Sequence, residues 1–417
     1  MSSLNHIVVF EHQKHTFDLK NKKEKEIHEA LEKYHGNYTP FFKLIRNGMQ
    51  FNQHVGVLKV GNTTIEILPK ADTKGEEVWR PLLIDMIKTI WGFNVKTSGN
   101  ADLKLKSNSI LDLYFEFFVN ELEFLLHRGL IKKYNKKEGN LYALKGALQF
   151  SKQISQNLTH QERFYVKYSN YDANHKLHCI LYKVLKMIYQ VNNKVDLKSR
   201  IGNLLLNFPE MNDIKITESI FDKIIYDRKN QHYEKALQIA KLLLLNYHPD
   251  ISKGKDNVLA LMFDMNILWE QFVYIILKRD LKDSGVHVKA QVSKKFWQSE
   301  SGTKSKMKPD IILEKDNTTI VLDTKWKNLY GDKPSPEDLR QMYAYHQYYK
   351  AIKTVLVYPG EEEKLISGNY FKIGNDDSLS DHICSIAFIK THENIKEWRK
   401  NINSFVKKNL LNISFEQ

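Results

Sequence analysis

At 417 residues, with 42% hydrophobic and 12% aromatic content, the chain carries enough apolar material for two or three domain cores, which excludes disorder as the default state. Its formal net charge of +14 suits a polyanionic partner, and a Lys-, Asn- and Ile-rich composition of the kind an AT-rich genome produces accounts for part of that excess. Two cysteines, Cys179 and Cys384, exclude a disulfide framework and a cysteine-rich zinc site.

The opening MSSLNHIVVFEHQKH has only four consecutive apolar residues, too few for a signal-peptide core. No apolar run approaches the roughly 18 residues that span a bilayer. A soluble, cytoplasmic protein with no membrane association is expected.

The N-terminal stretch reads as strand-rich. Ile7 to Phe10, Val55 to Val60 and Thr64 to Leu68 are short apolar runs, and the last two are joined across Gly61-Asn62 as a hairpin that Pro69 ends. Helical spacing follows over Glu76 to Ile90. A strong helix is predicted between Ser109, as its cap, and Gly129. Residues 132–139 read as a polar connection, and LYALKGALQF as a strand pair bent at Gly146. Helices are expected over His175 to Val191 and Tyr233 to Tyr247. HPDISKGKDN, from His248 to Asn257, has the Pro, Gly and alternating charge of a linker.

Past that linker, Val258 to Asp280 reads as one long helix and Val286 to Trp297 as a strand. KPDIILE and TTIVLDTKW then form two strands around the turn Lys315-Asp316-Asn317. A helix begins at Pro336 and runs to about Ala351, followed by a buried strand, KTVLVYP. The expected architecture is α/β (α+β overall). Residues 1–105 form a strand-rich N-terminal domain, 106–250 a helical middle region, and 256–417 a mixed sheet flanked by helices.

The hairpin in the last third concentrates the chemistry. Residues two apart on a strand share a face, so Asp323 and Lys325 project together, and a tight hairpin can set Asp310 opposite Asp323. Two carboxylates at the end of an apolar strand pair repel unless something neutralises them. A hard divalent cation does so, and Mg²⁺, for which Mn²⁺ can substitute, takes one or two carboxylates together with phosphate and water. Phosphodiester hydrolysis needs such a cluster, with the Lys325 ammonium orienting a water or stabilising charge on phosphorus. Glu270 lies in an apolar helix where an unpaired carboxylate is costly. Gln341 and Tyr345, at i and i+4, face one way. Each alone is equally a surface hairpin pair or an ordinary amphipathic helix face.

Together these residues resemble the PD-(D/E)xK nuclease superfamily, and Gln341-x-x-x-Tyr345 resembles the Q-x-x-x-Y element of its RecB-like branch. More narrowly, VGVLKVGNTTIEILPKA, LYALKGALQFSKQI, YDANHKLHCIL, FDMNILWEQFV and KPDIIL…VLDTKWK resemble the McrC-like subunits of McrBC-type restriction systems. The resemblance implies a restriction-endonuclease-like C-terminal domain that cuts double-stranded DNA. It implies Asp310, Asp323 and the Thr324 carbonyl as metal ligands, with Lys325, Glu270 and Gln341 completing the catalytic set. It further implies an McrB-like hexameric AAA+ GTPase as partner, with the N-terminal part docking into that partner. The chain has no G-x-x-x-x-G-K-[ST] loop of its own, so nucleotide hydrolysis would reside in that second protein.

Other signals are weaker. His175, His178 and Cys179 share a helical turn but lack a second ligand cluster. Basic runs such as KNKKEKE and KKYNKKEG read as solvated faces. Tyr343, Tyr348 and Tyr349 read as core or helix surface. A non-catalytic DNA-binding activator of a partner NTPase and a stand-alone repair nuclease are the alternatives.

Overall fold

The computed structural model describes residues 6–36, 39–70, 75–91, 110–192, 194–245, 247–248, 258–327, 329 and 333–411. The fold is mixed α/β in two compact units, one of residues 1–101 with 262–417 and the other of residues 102–261. The sequence predicts residues 1–105 and 256–417 as separate domains, whereas residues 1–101 and 262–417 build one unit. The reason is shared burial. Trp79, with no exposed surface, meets Trp326 and Trp398 edge-on, with ring centroids 5.9 and 6.4 Å away.

The N-terminal segment of this first unit contains β1 (His6–Phe10), β2 (Lys14–Thr16), α1 (Lys22–His35), β3 (Phe42–Ile45), β4 (Gly48–Phe51), β5 (His54–Val60), β6 (Thr63–Leu68) and α2 (Glu76–Trp91). The expected hairpin is β5–β6, antiparallel with Val60 opposite Thr63, and Gly61 takes the left-handed φ of +55° that its tight turn needs. Strand β1 adds parallel to β6. Strands β2, β4 and β3 form a small separate antiparallel sheet.

The second unit contains α3 (Ile110–Arg128), β7 (Lys133–Leu141), β8 (Ala147–Leu148), α4 (Phe150–Asn157), β9 (Phe164–Asp172), α5 (Lys176–Val191), α6 (Val195–Asn207), α7 (Glu218–Asp222), α8 (Glu234–Leu245) and β10 (Tyr247–His248). The predicted helices are present. Ser109, expected to cap α3, lies outside the described residues. The polar stretch at 132–139, expected as a connection, is instead most of β7. Its side chains are largely exposed, and pairing with β9 over nine residues holds it extended without an apolar face. Of LYALKGALQF, only Ala147–Leu148 forms a new strand. Gly146 stands so close to β9 that a Cβ would lie 2.4 Å from the Lys167 carbonyl oxygen.

Strand β11 (Val258–Asp264) carries the chain from one unit into the other, and the linker expected just before it lies outside the described residues from 249 onward. The single helix expected over Val258 to Asp280 is corrected to β11 followed by α9 (Met265–Asp280). Val258 to Leu261 are all buried, which suits a strand covered on both faces. Asp264 then caps the helix by accepting the Asn266 amide at 2.8 Å.

The remainder comprises β12 (His287–Ala290), β13 (Lys294–Gln298), β14 (Lys304–Met307), β15 (Ile311–Lys315), β16 (Thr318–Thr324), α10 (Pro336–Tyr349), β17 (Lys353–Gly360), β18 (Lys364–Lys372), β19 (Asn375–Lys390) and α11 (Ile395–Asn409). The strand expected over Val286 to Trp297 is split at Gln291, whose φ of +56° breaks the extended run and sends β12 and β13 to different sheets. A mixed sheet runs in the order β12-β15-β16-β17-β19-β18. Strands β16, β17 and β19 are parallel neighbours, while β12–β15, β15–β16 and β18–β19 are antiparallel.

One face of this sheet, with Ile312, Val321, Leu356 and Ile386, packs with Met342, Tyr345 and Tyr349 of α10. The alternate residues Leu313, Ile320, Leu322, Val355 and Val357 are equally buried, and α9 and α11 pack against this sheet and each other. No described helix is long and apolar enough to cross a membrane.

Candidate active site

The β15–β16 hairpin is built around Asp316-Asn317, both with positive φ (47° and 61°), which matches the twist of the two strands. Its register pairs Ile311 with Leu322 and Ile312 with Val321. Extending it by one residue puts Asp310 opposite Asp323, on the face that α10 covers. Asp323 is 2% exposed. The site therefore forms where two apolar strands end under a helix.

Lys325 comes to the same place. Its Nζ lies 2.7 Å from Asp323 Oδ2 and 3.8 Å from Asp338 Oδ1, and it donates to Gln341 Oε1 at 3.4 Å. Gln341 Nε2 donates to Asp323 Oδ1 at 3.4 Å and to the Tyr345 hydroxyl at 2.8 Å. Tyr345 in turn donates to the Lys308 carbonyl at 3.3 Å, two residues before Asp310. Asp310 Oδ2 accepts both the amide (2.7 Å) and the hydroxyl (2.8 Å) of Thr324. Asp310, Asp323, Thr324, Lys325 and Gln341 are thus brought together.

Glu270 joins from α9, as acceptor of the Gln291 side-chain amide, and the Gln291 backbone amide donates to the Asp310 carbonyl at 3.0 Å. The electrostatics match this crowding. Burial, and then the charge of Asp310, push Asp323 up to about 6. Burial and the Asp310 charge push Glu270 up to about 7. Burial raises Asp310 also, against the two Thr324 donors. For Lys325, burial disfavours the charge, but Asp323, Asp338 and Asp310 outweigh it and hold the pKa above the ordinary lysine value. The ammonium is therefore charged at neutral pH.

The donor set bears on whether a metal fits. Asp323 Oδ2 is buried and, although close to the Lys325 ammonium, is not aligned with any hydrogen-bond donor. Among the described residues, no three or more His, Cys, Asp or Glu side chains come together as a group that could hold a metal ion. Two carboxylates with a nearby backbone suit a cation that keeps water or phosphate ligands, which is the habit of Mg²⁺ rather than of structural zinc.

Several contributors escaped the sequence reading. Asp338 pairs with Lys327 at 2.6 Å and flanks Lys325; its place three residues before Gln341 on the same helix face was the available signal. Gln291 had none, since its role depends on the break it causes between β12 and β13. Glu11, from the end of β1, accepts the Trp326 indole N–H at 2.8 Å and the Lys70 amide at 2.7 Å. It is 3% exposed, and burial pushes its pKa up to about 7.

The histidines set aside earlier occupy the second unit. The His175 and His178 rings lie 3.9 Å apart. His178 contacts the Ala173 carbonyl at 2.6 Å and the Tyr233 hydroxyl at 3.0 Å, while His175 contacts the Ile131 carbonyl at 3.1 Å. Burial pushes His178 down to about 4.

Comparison with known proteins adds to this geometry. The family model for the McrBC 5-methylcytosine restriction system component matches residues 49–359. A chain from the refined half-complex of the tetradecameric assembly of Thermococcus gammatolerans McrB AAA+ hexamers with bound McrC superposes with a TM-score of 0.68 at 19% identity, covering 97% of this chain and 99% of that one. A chain from the cryo-EM structure of the Thermococcus gammatolerans McrBC complex gives a TM-score of 0.49 at 20% identity, over 66% and 88% of the two chains. No curated protein matches.

Proposed function

The chain belongs to the McrBC family of restriction-system components, and we propose that it is the DNA-cutting subunit, a metal-dependent endonuclease of PD-(D/E)xK type that works with an AAA+ GTPase partner. The observation that carries this reading is the convergence of Asp310, Asp323, Lys325 and Gln341 at the ends of β15 and β16 beneath α10.

Asp310 and Asp323, with the backbone carbonyl of Thr324, would hold Mg²⁺, which when bound supplies polarisation of a phosphoryl oxygen and a lowered pKa for water. Thr324 fixes the Asp310 carboxylate by its two hydrogen bonds, so that carboxylate needs no reorganisation when phosphate arrives. Lys325 stays cationic among three carboxylates and donates to the attacking water or to the charge growing on phosphorus. Gln341, bonded to both Asp323 and Lys325, sets the angle between them. Glu270, which burial and the charge of Asp310 push up to about 7, would accept a proton from that water as general base.

A partner is supported by two features. The chain has no G-x-x-x-x-G-K-[ST] loop, and the chain of similar fold comes from an assembly with McrB AAA+ hexamers. Residues 1–105 were expected to carry the docking surface. Among the described residues, the ribbon β7–β9–β8 with α4 offers a further apolar surface, where Tyr142, Leu144, Phe150, Ile154 and Leu158 are 62% to 75% exposed. An apolar patch of this kind marks an interaction surface, and we assign partner docking there. Cleavage of duplex DNA by the purified chain with its partner, GTP and Mg²⁺ tests the function. Asp310→Ala should abolish cutting, and persistence of cutting in that variant would remove the catalytic assignment.

A further inference from the structure

The β13–β14 ribbon is the other unusual feature of the first unit. It stands apart from the main sheet as a two-stranded antiparallel pair, and every residue of β13 is exposed, as are Lys304, Ser305 and Lys306 of β14. Isolated two-stranded ribbons are marginal in water. This one nevertheless has a defined shape. Its tip is closed by Ser299 N–H to the Thr303 carbonyl (2.8 Å) and by the Thr303 amide to Ser299 Oγ (2.9 Å).

Its root is fastened to the C-terminal end of α10. The Tyr349 hydroxyl lies within hydrogen-bond reach of the Val292 (2.6 Å) and Met307 (3.0 Å) carbonyls, one on each side of the ribbon. Lys294 donates to the Tyr348 carbonyl at 2.7 Å. The same helix carries Gln341 and Tyr345, so the ribbon and the candidate active site share one rigid support.

Its chemistry is one-sided. Residues 294–308 contain five lysines, Lys294, Lys295, Lys304, Lys306 and Lys308, against one acid, Glu300. Lys295 and Lys306 are direct cross-strand partners, and like charges so placed repel. Among the described residues no carboxylate lies within ion-pair distance of Lys295, Lys304 or Lys306. Phe296 and Trp297 are 49% and 57% exposed beside them. Unneutralised cations interleaved with open aromatic faces are complementary to a polyanion that also offers flat apolar surface. The ribbon leads through Lys308 and Pro309 directly into Asp310.

We propose that the β13–β14 ribbon is a DNA-binding arm that grips the phosphate backbone of duplex DNA next to the scissile phosphate, with Lys295 and Lys306 as its principal phosphate contacts and Trp297 against the sugar-base edge. A two-stranded ribbon has the width to enter a major groove. This assignment rests on DNA being the substrate, and it names the surface that presents DNA to Asp310 and Asp323.

The test is binding of a fluorescent DNA duplex by the full chain carrying Asp310→Ala, followed by anisotropy across a salt series. Each phosphate contact contributes about 0.9 to the slope of log affinity against log salt. Adding Lys295→Ala with Lys306→Ala should therefore lower that slope by about 1.8. Trp297→Ala should weaken binding with little change in slope. Lys396→Ala with Lys400→Ala, on α11, serves as the control and should leave the slope near that of the parent. An unchanged slope in the ribbon variant overturns the arm, as does a loss of binding to the AAA+ partner with DNA binding intact. The readout needs no cleavage. A chain that binds through the ribbon yet never cuts DNA would therefore refute the catalytic reading and leave the arm standing.

Discussion

Replacing Glu11 by Gln isolates one electrostatic cost where the N-terminal strand meets the active-site hairpin. Glu11 Oε1 accepts from both Trp326 and Lys70, while Oε2 is buried without a hydrogen-bond partner. The amide oxygen of Gln can keep both bonds, so the substitution removes charge more than contact. Burial, the largest cause, raises the carboxyl from 4.5 to about 7. At about 1.4 kcal/mol per unit, the ionised side chain costs the folded state about 3 kcal/mol. The folded pKa is raised, so the native state holds a proton that the unfolded chain has released between these two values. Stability from this group is full below 4.5 and is lost as pH rises to about 7. Glu11→Gln should thus match the parent near the lower pH and exceed it by about 3 kcal/mol above the upper one. All six tryptophans, at 79, 91, 269, 297, 326 and 398, fall in residues 1–101 and 262–417, so denaturant unfolding followed by tryptophan emission reports this unit alone. A stability difference that does not change with pH would refute the reasoning.

Four further outcomes are expected. Asp338→Asn withdraws charge from Lys325 and Lys327 and should slow cleavage by about tenfold, a loss near 1.4 kcal/mol of transition-state stabilisation, read as kcat on duplex DNA with unchanged partner binding. Mg²⁺ affinity measured by calorimetry should fall as pH is lowered through about 6, because the proton that Asp323 takes up competes with the cation; in Asp323→Asn that dependence should be much reduced. Tyr233→Phe removes the hydroxyl shared by His178 and the Ile131 amide and should destabilise the second unit by about 1–3 kcal/mol, seen in hydrogen exchange over α5 and α8. Phe150→Ser with Ile154→Ser should abolish stimulation of the partner GTPase while leaving Mg²⁺ affinity unchanged.

Local rules made the candidate site readable. Period-two alternation in TTIVLDTK and the left-handed turn at Asp316-Asn317 determine which side chains share a face, and the hairpin sets Asp310 against Asp323 with no help from distant chain. Gln341 and Tyr345 followed from helical spacing in the same way. What escaped depends on distant chain. Val258 to Phe263 is apolar throughout, and an unbroken apolar run carries no period that separates a buried strand from a buried helix. The polar ribbon β7 is a strand only because β9 pairs with it. Glu11 reaches Trp326 across 315 positions, a contact that a single sequence cannot announce. The merging of both chain ends into one unit has the same origin, in the packing of Trp79 against Trp326 and Trp398.

The central proposition is that Asp310 and Asp323, which would hold a divalent cation, act with Lys325 beside them to hydrolyse the DNA backbone. The most direct measurement is cleavage of duplex DNA by the chain with its AAA+ partner, GTP and Mg²⁺, run in parallel for the parent, Asp310→Ala and Lys325→Ala. The parent should cut. Both variants should lose at least about 100-fold in rate while still stimulating the partner GTPase. Equal cutting by Asp310→Ala, or a parent that stimulates the GTPase but leaves DNA intact, would contradict the account.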